Sequence, residues 1–319
     1  MDPLSHTDMA AYAASVLSSI KKVEADADWD GISAAVQVKR NFPEVDIKIS
    51  DQKDVPSDIS TLVLDKGTYG DGWVVDHHPS SVNCRNIFRF CPNGEVPTST
   101  LIYNTLQKRD EQGLMLSASA EISDGLYEYG SAHGSLKALY GAYPNYFKRS
   151  RSHSQCMVDK EIYVMADIFS VLSFNMPQSA FRIGLDVYDS KPKDSAGLVS
   201  LLQNDEKKLI SEYFSFMDGN IDMFRQHRLL GREVLVGDGT KTSRFAYAAL
   251  GKALVNRPGN YMLFMGDKMS VRTDDSGLFD LILERLNGKV SASGGRMGWY
   301  GLKFSERMSY GELMGRLAG

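Results

Sequence analysis

Residues 20–42, IKKVEADADWDGISAAVQVKRNF, pass from a short apolar segment through a knot of acids into a helical pattern. Ile20 to Ala25 reads as a strand and Gly31 to Phe42 as a helix, and this switch from a period of two to a period of 3.6 opens a βαβ unit. Working outward, Thr7 to Ile20 has the Ala and Leu/Val spacing of a helix, while Val45 to Ser50, Thr61 to Leu64 and Trp73 to Val75 read as further strands. Alternation of this kind predicts a parallel sheet with helices on both faces.

Further along, residues 98–173 are mainly helical in pattern, and Asn204 to Arg228 reads as one long amphipathic helix. From about Leu230 an α/β pattern restarts, with strands at Glu233 to Val236, Tyr261 to Met265 and Met269 to Arg272 and a helix at Leu278 to Leu286. With 319 residues, 43% of them hydrophobic, the chain has material for two cores. The expected division is a parallel-sheet α/β domain over residues 1–200, a helical connector over 201–229 and a smaller α/β domain over 230–319. There is no internal repeat and no low-complexity tract.

A net charge of −4 argues against a broad duplex-binding surface, so a nucleic-acid substrate would need a local groove. The basic run Lys148-Arg149-Ser150-Arg151 reads as a solvated loop. Cys84, Cys91 and Cys156 lack CxxC spacing and read as reduced thiols rather than a disulfide framework or a zinc site. No apolar run reaches the roughly 18 to 20 residues of a membrane span, and the opening residues lack a basic leader or hydrophobic segment. The expectation is a cytoplasmic protein with no membrane association.

The acids carry the chemistry. Asp26, Asp28 and Asp30 alternate beyond the first strand, where three like charges repel unless a cation neutralises them. A calcium loop would need Glu at the twelfth position from Asp26, and Gln37 stands there. Asp65 follows the third strand, and Asp76-His77-His78 closes the fourth. Active sites of open parallel sheets gather beyond the carboxyl ends of the strands, so these segments are expected to converge. Asp124, in Ala120-Glu-Ile-Ser-Asp124-Gly125, is a further candidate from a helix end. Carboxylates with imidazole suit Mn²⁺ or Mg²⁺, and a pair of such ions supports phosphoryl transfer.

These segments together resemble the DHH phosphoesterases, a superfamily that includes RecJ-type exonucleases, nano-RNases, cyclic-dinucleotide phosphodiesterases and manganese pyrophosphatases. The triplet is Asp76-His77-His78 within WVVDHHPSS; the first motif resembles H-x-D-x-D-G, with Asp26 at the histidine position. The resemblance spans roughly Ile20 to Phe304. It implies two divalent cations, Mn²⁺ foremost and Mg²⁺ as the alternative, held by Asp26, Asp28, Asp30, Asp65, His77 and Asp124. It further implies His78 beside the scissile phosphate and Asp76 bracing the metal-binding imidazole. In the C-terminal part, Ser270-Val-Arg272 matches an S-x-R strand, and Ser293-Gly294-Gly295-Arg296 stands where the family carries a glycine-rich G-G-G-H loop, with Arg296 for histidine. Arg272, Gly294, Gly295 and Arg296 would then bind phosphate, with Trp299 and Tyr300 read as core packing before base stacking.

The implied activity is a Mn-dependent, RecJ-like exonuclease acting on single-stranded DNA or RNA. A phosphodiesterase for short oligonucleotides or cyclic dinucleotides is the second reading. The third is a noncatalytic replication scaffold of the same fold, and a replication-protein partner follows from the same resemblance.

Overall fold

The structure, a computed structural model, describes residues 15–51, 58–67, 71–78, 86–90, 96–106, 109–124, 134–150, 160–219, 223–240, 245, 250, 259–273, 275–296 and 298–318. The three cysteines, Arg151 and most of the helix expected from Thr7 lie outside these residues; residues 15–19 are helical. Those up to Ser211 form one compact unit and those from Glu212 another.

The first unit is built on a parallel five-stranded sheet in the order β2-β1-β3-β4-β5. Its strands are β1 (Lys22–Ala25), β2 (Asp46–Ile49), β3 (Thr61–Leu64), β4 (Trp73–Asp76) and β5 (Asn86–Phe90). Of the central strands, β3 (TLVL) and β4 (WVVD) are close to continuously apolar, as burial on both faces of a parallel sheet requires, whereas β1 (KVEA) alternates, with Glu24 buried beside Lys22. Helix α1 (Trp29–Asn41) connects β1 to β2 and is buried over most of its first ten residues. Asp28 caps it by accepting from the Gly31 amide at 3.0 Å, Asp30 sits in its first turn, and Lys39 and Arg40 sit in its last, all favourable to the helix dipole. Val23, Ala25, Ala34, Ala35, Val38, Leu62, Leu64 and Val75 form the core between sheet and helix.

Helices α2 (Thr98–Thr105), α3 (Glu111–Ser123), α4 (Ser135–Ala142), α5 (Glu161–Asn175), α6 (Pro177–Ser190) and α7 (Ser195–Ser200) complete the unit. Helix α8 (Asn204–Gly219) crosses from one unit into the next. It is shorter than the helix expected from Asn204 to Arg228. Phe224–Leu229 is instead strand β6, paired antiparallel with β7 (Arg232–Asp238) from Phe224↔Gly237 to Leu229↔Arg232. The cause is local: Leu230 and Gly231, both at positive φ, form the tight turn of a hairpin.

The second unit holds a mixed six-stranded sheet in the order β10-β11-β9-β8-β7-β6, with β8 (Asn260–Phe264), β9 (Lys268–Arg272), β10 (Val290–Arg296) and β11 (Trp299–Phe304). Helices α9 (Ser276–Arg285) and α10 (Tyr310–Leu317) cover it, burying Phe264, Met269, Val271, Leu278, Ile282, Leu302 and Leu313. Chain topology is therefore α/β in both units.

Candidate metal centre

The carboxyl ends of β1, β3 and β4 and the N-termini of α1 and α2 bring the acids together. The first motif is not an extended ladder of alternating carboxylates, because β1 ends at Ala25 and the helix begins at Trp29. Asp28 thus becomes the cap and Asp30 a first-turn residue. Gly31 is required here: a Cβ would come within 2.7 Å of the Asp26 carbonyl oxygen. That close approach folds the helix start back onto the strand end.

Asp30, fully buried, accepts from the amides of Thr98 at 2.7 Å and Ser99 at 2.8 Å. It thereby caps α2, whose own N-cap is Pro97 and has no side-chain cap. Asp65 is also fully buried and takes φ = 62°, a left-handed conformation unusual for a non-glycine residue. Its Oδ1 accepts from the Thr98 hydroxyl at 3.0 Å. Its Oδ2 is buried with no hydrogen-bond partner among the described residues.

His77 lies at the middle. Its Nε2 is 3.2 Å from Asp65 Oδ1, 3.4 Å from Asp124 Oδ2 and 3.8 Å from Asp30 Oδ2. Asp124 arrives as the C-cap of α3. Asp76 accepts from the amides of Gly67, His77 and His78 and meets His78 Nδ1 at 2.8 Å. The resemblance implied that Asp76 braces the imidazole of His77; the ring bond in this geometry goes to His78. Two groups with metal-ligand spacing result, Asp65 with His77 and His78, and Asp30 with His77 and Asp124. Asp26 and Asp28 stand outside both groups, although Asp28 feels the charges of Asp124, Asp26 and Asp30.

The acids act on one another electrostatically. Burial pushes the Asp28 carboxyl up to about 8, its acidic neighbours push the same way, and the Gly31 amide opposes them. Asp65 is held well above the ordinary carboxylate range by burial first and then by Asp30, Asp28, Asp124 and Asp76. For His78, desolvation lowers the affinity for a proton, but the bond to Asp76 and the charges of Asp76, Asp124 and Asp28 outweigh it and raise the pKa. Carboxylates that resist ionisation, a buried oxygen without a hydrogen-bond partner among the described residues and a central imidazole are a donor set that a cation would satisfy. The donor set of oxygens and imidazole, with no thiolate, fits Mn²⁺ or Mg²⁺.

A pH dependence follows. The folded protein retains a proton on Asp28 up to about pH 8, whereas the unfolded chain releases it near the ordinary value of 3.8. Stability of the metal-free protein therefore falls as pH rises between those values and levels off above them. In EDTA, Tm should drop by roughly 5 °C between about pH 5 and pH 8, and Mn²⁺ or Asp28→Asn should flatten the slope. Differential scanning calorimetry checks this, and a metal-free Tm that climbs over the same range would remove the raised carboxylates from the account.

Two residues went unnoticed in the sequence. Thr98 and Ser99 bind the acids through backbone amides and a hydroxyl, and their signal was Pro97 followed by Thr-Ser at a helix start.

The expected phosphate-binding residues belong to the second unit. Ser270 and Arg272 lie on β9, and Arg272 pairs in register with Tyr261 and Trp299. Gly294, Gly295 and Arg296 form the end of β10 rather than a free loop, paired to Gly301, Tyr300 and Trp299 in a hairpin that turns at Gly298, φ = 80°. Two adjacent glycines lack side chains to bar an extended strand, and the pairing with β11 decides its conformation. Tyr300 stacks on Phe279 with ring centroids 4.2 Å apart.

No family model matches the chain, and no curated protein matches it either. Solved structures do. The exonuclease RecJ bound to manganese is similar at 14% identity and a TM-score of 0.57, over 99% of this chain and 95% of that one. The DHH domain of a member of a ribosomal-protein family is similar at 11% identity and a TM-score of 0.64, over 98% and 89%. CDC45 from Entamoeba histolytica is similar at 9% identity and a TM-score of 0.56, over 99% of each chain. What these structures share with the chain is the fold.

Proposed function

We propose that this chain, which has the fold of the DHH, RecJ-like superfamily, is a divalent-cation-dependent phosphodiesterase that trims single-stranded DNA or RNA from an end. The observation that carries the proposal is the pair of groups with ligand spacing that meet at His77, Asp65 on one side and Asp30 with Asp124 on the other, with His78 beside Asp65 and turned to Asp76. Asp26 and Asp28, whose charges act on one another and which lie outside both groups, are assigned as the further ligands. Bound there, Mn²⁺ or Mg²⁺ ions would lower the pKa of water and offset charge developing on phosphoryl oxygens.

The chain's own groups supply the rest. Asp76 fixes the tautomer and orientation of His78 by taking Nδ1, which leaves Nε2 as the atom available to a substrate. The bond to Asp76 and the neighbouring carboxylates raise the proton affinity of His78 above that of a free imidazole, and 41% of its side chain is exposed. A half-exposed imidazole with raised proton affinity suits contact with a phosphate oxygen or proton donation to a leaving group. In the second unit, Arg272, Gly294, Gly295 and Arg296 are assigned to a terminal or adjacent phosphate, through a guanidinium fork and close backbone approach. Among the described residues no helix is long and apolar enough to cross a membrane.

The test is incubation with Mn²⁺ and end-labelled single-stranded DNA and RNA of several lengths. Stepwise mononucleotide release from long strands is the expected result and would also give the polarity. Cleavage confined to the shortest substrates would replace the exonuclease with an oligonucleotide phosphodiesterase. No cleavage at any length would favour a noncatalytic scaffold of the same fold.

A further inference from the structure

Outside the two ligand groups, the first unit carries a surface that joins aromatic rings to bases. Residues 135–150, SLKALYGAYPNYFKRS, hold three cations, four aromatic rings and no acid, in a chain whose net charge is −4. They run through α4 and a turn of 3₁₀ helix at Pro144–Phe147. Among the described residues Tyr140 is one of three large hydrophobic side chains left exposed, at 61%. Its ring meets Phe147 edge to face, with centroids 4.9 Å apart and planes at 90°. A T-shaped contact covers no more than one face of each ring, so the exposed Tyr140 keeps a face for a further flat group.

The bases stand beside these rings. Lys137 precedes Tyr140 by three positions on α4 and so shares its face. Lys148 directly follows Phe147, both lysines are exposed, and neither enters an ion pair among the described residues. Arg149 faces Lys160 across an isolated antiparallel bridge, and the Glu161 amide donates to the Lys148 carbonyl at 3.1 Å, which brings a further exposed lysine to this edge. Two acids of the neighbourhood are occupied: Glu111 by Lys193 at 2.6 Å, and Glu161 by the Ser195 amide at 2.8 Å. The segment is also tied to the supports of the metal centre. Glu121, one turn before Asp124, accepts from the Leu136 amide at 2.9 Å, and the Ser135 and Thr100 hydroxyls meet at 2.8 Å. Gly134 permits that contact, since a Cβ there would come within 2.2 Å of Glu121 Oε1. Tyr140 stands roughly 8 Å along the axis of α4 from Ser135, the length of two or three nucleotides stacked at about 3.4 Å.

We propose that Tyr140 and Phe147, with Lys137 and Lys148, form a stacking platform for single-stranded nucleic acid that grips the part of a strand not being cut. A ring accepts any unpaired base, because every base has a π face, and ammoniums beside it neutralise the backbone phosphates. Duplex bases are already stacked on one another and offer the ring no face. Exposed lysines around the rings favour a polyanion over a protein partner, whose contacts are depleted of lysine. The inference rests on the single-strand reading of the proposed function and deepens it, by giving long strands an anchor that the shortest substrates do not reach.

The experiment is fluorescence anisotropy of the full chain with labelled oligothymidylates of about 4 to about 20 nucleotides, in EDTA so that binding is read without metal. Tyr140→Ala should weaken binding of the longest strand by about tenfold or more, and Tyr140→Trp should restore it, a rescue that only a stacking role explains. Lys137→Ala with Lys148→Ala should lower the slope of log affinity against log salt by about 1.4, two phosphate contacts on a single strand. Because Tyr140 is exposed, its substitutions should leave Tm within about 2 °C of wild type, so that unfolding does not imitate the loss. Equal binding of the longest strand by wild type and Tyr140→Ala, or no strand binding by the wild type, overturns the proposal. If binding is equal and Tyr140→Ala instead abolishes self-association in sedimentation, the surface belongs to a second copy of the chain. Hydrolysis of strands in Mn²⁺ alongside equal binding would remove the platform and keep the nuclease. Binding lost in Tyr140→Ala, from a chain that hydrolyses no strand, would keep the platform and remove the nuclease.

Discussion

Asp65→Asn lowers phosphodiester hydrolysis by about 10³-fold, because a ligand position worth several kcal/mol of transition-state charge stabilisation is lost at tenfold per about 1.4 kcal/mol. The substitution suits the site in every other respect. Asn tolerates the left-handed conformation at φ = 62°, and its amide oxygen still accepts from the Thr98 hydroxyl. Removing a carboxylate whose charged form burial and four acidic neighbours disfavour should leave the metal-free protein at least as stable as the wild type. The signature is a collapse in kcat/KM with an undiminished Tm in EDTA. Activity within about tenfold of wild type would show that Asp65 does not serve the reaction.

Trp29→Ala destabilises the first unit by about 3–5 kcal/mol, the range for truncating a large buried aromatic. Trp29 is 0% exposed and stacks on Phe169 with centroids 4.0 Å apart and ring planes 3° apart. Its Nε1 donates to the Ser119 hydroxyl at 2.8 Å, so truncation opens a cavity and also removes that hydrogen bond, leaving the hydroxyl only its bond to the Leu116 carbonyl. The side chain sits between Asp28 and Asp30, and its packing on α3 and α5 fixes where both acids point. Trp29→Phe should keep most of the stacking and lose only the hydrogen bond, at about 1–2 kcal/mol. Urea unfolding followed through the first unit measures both, and a loss below about 1 kcal/mol for Trp29→Ala would contradict the packing described.

The parallel sheet was legible because short apolar runs, clearest in β3 and β4, alternate with helical patterns and are followed by charged residues. The run Thr61 to Leu64, followed by Asp65, is an example in which burial and function both leave a mark on the residue string. The rest depended on contacts distant in sequence. The alternation of Phe224 to Leu229 continued the preceding helical pattern without a break, and only the Leu230-Gly231 turn and the pairing with β7 make it a strand. Gly294 and Gly295 looked like a loop because glycine has no strand preference, yet β11 supplies hydrogen bonds that override it. Within the site, the ligand order was readable, but the bond from Asp76 to His78 and the capping of α2 by Asp30 are set by the folded chain. The same holds for Asp28: its identity was plain, whereas its raised pKa comes from burial and from Asp124, 96 positions away.

Equilibrium Mn²⁺ binding to the wild type and to Asp65→Asn, followed by the electron paramagnetic resonance of free ion, tests the metal centre most directly. Saturable uptake by the wild type that strengthens as pH rises toward 8, and is lost in Asp65→Asn, is the predicted result. A wild-type protein that leaves the Mn²⁺ signal undiminished, or a variant that binds as well as the wild type, would contradict it.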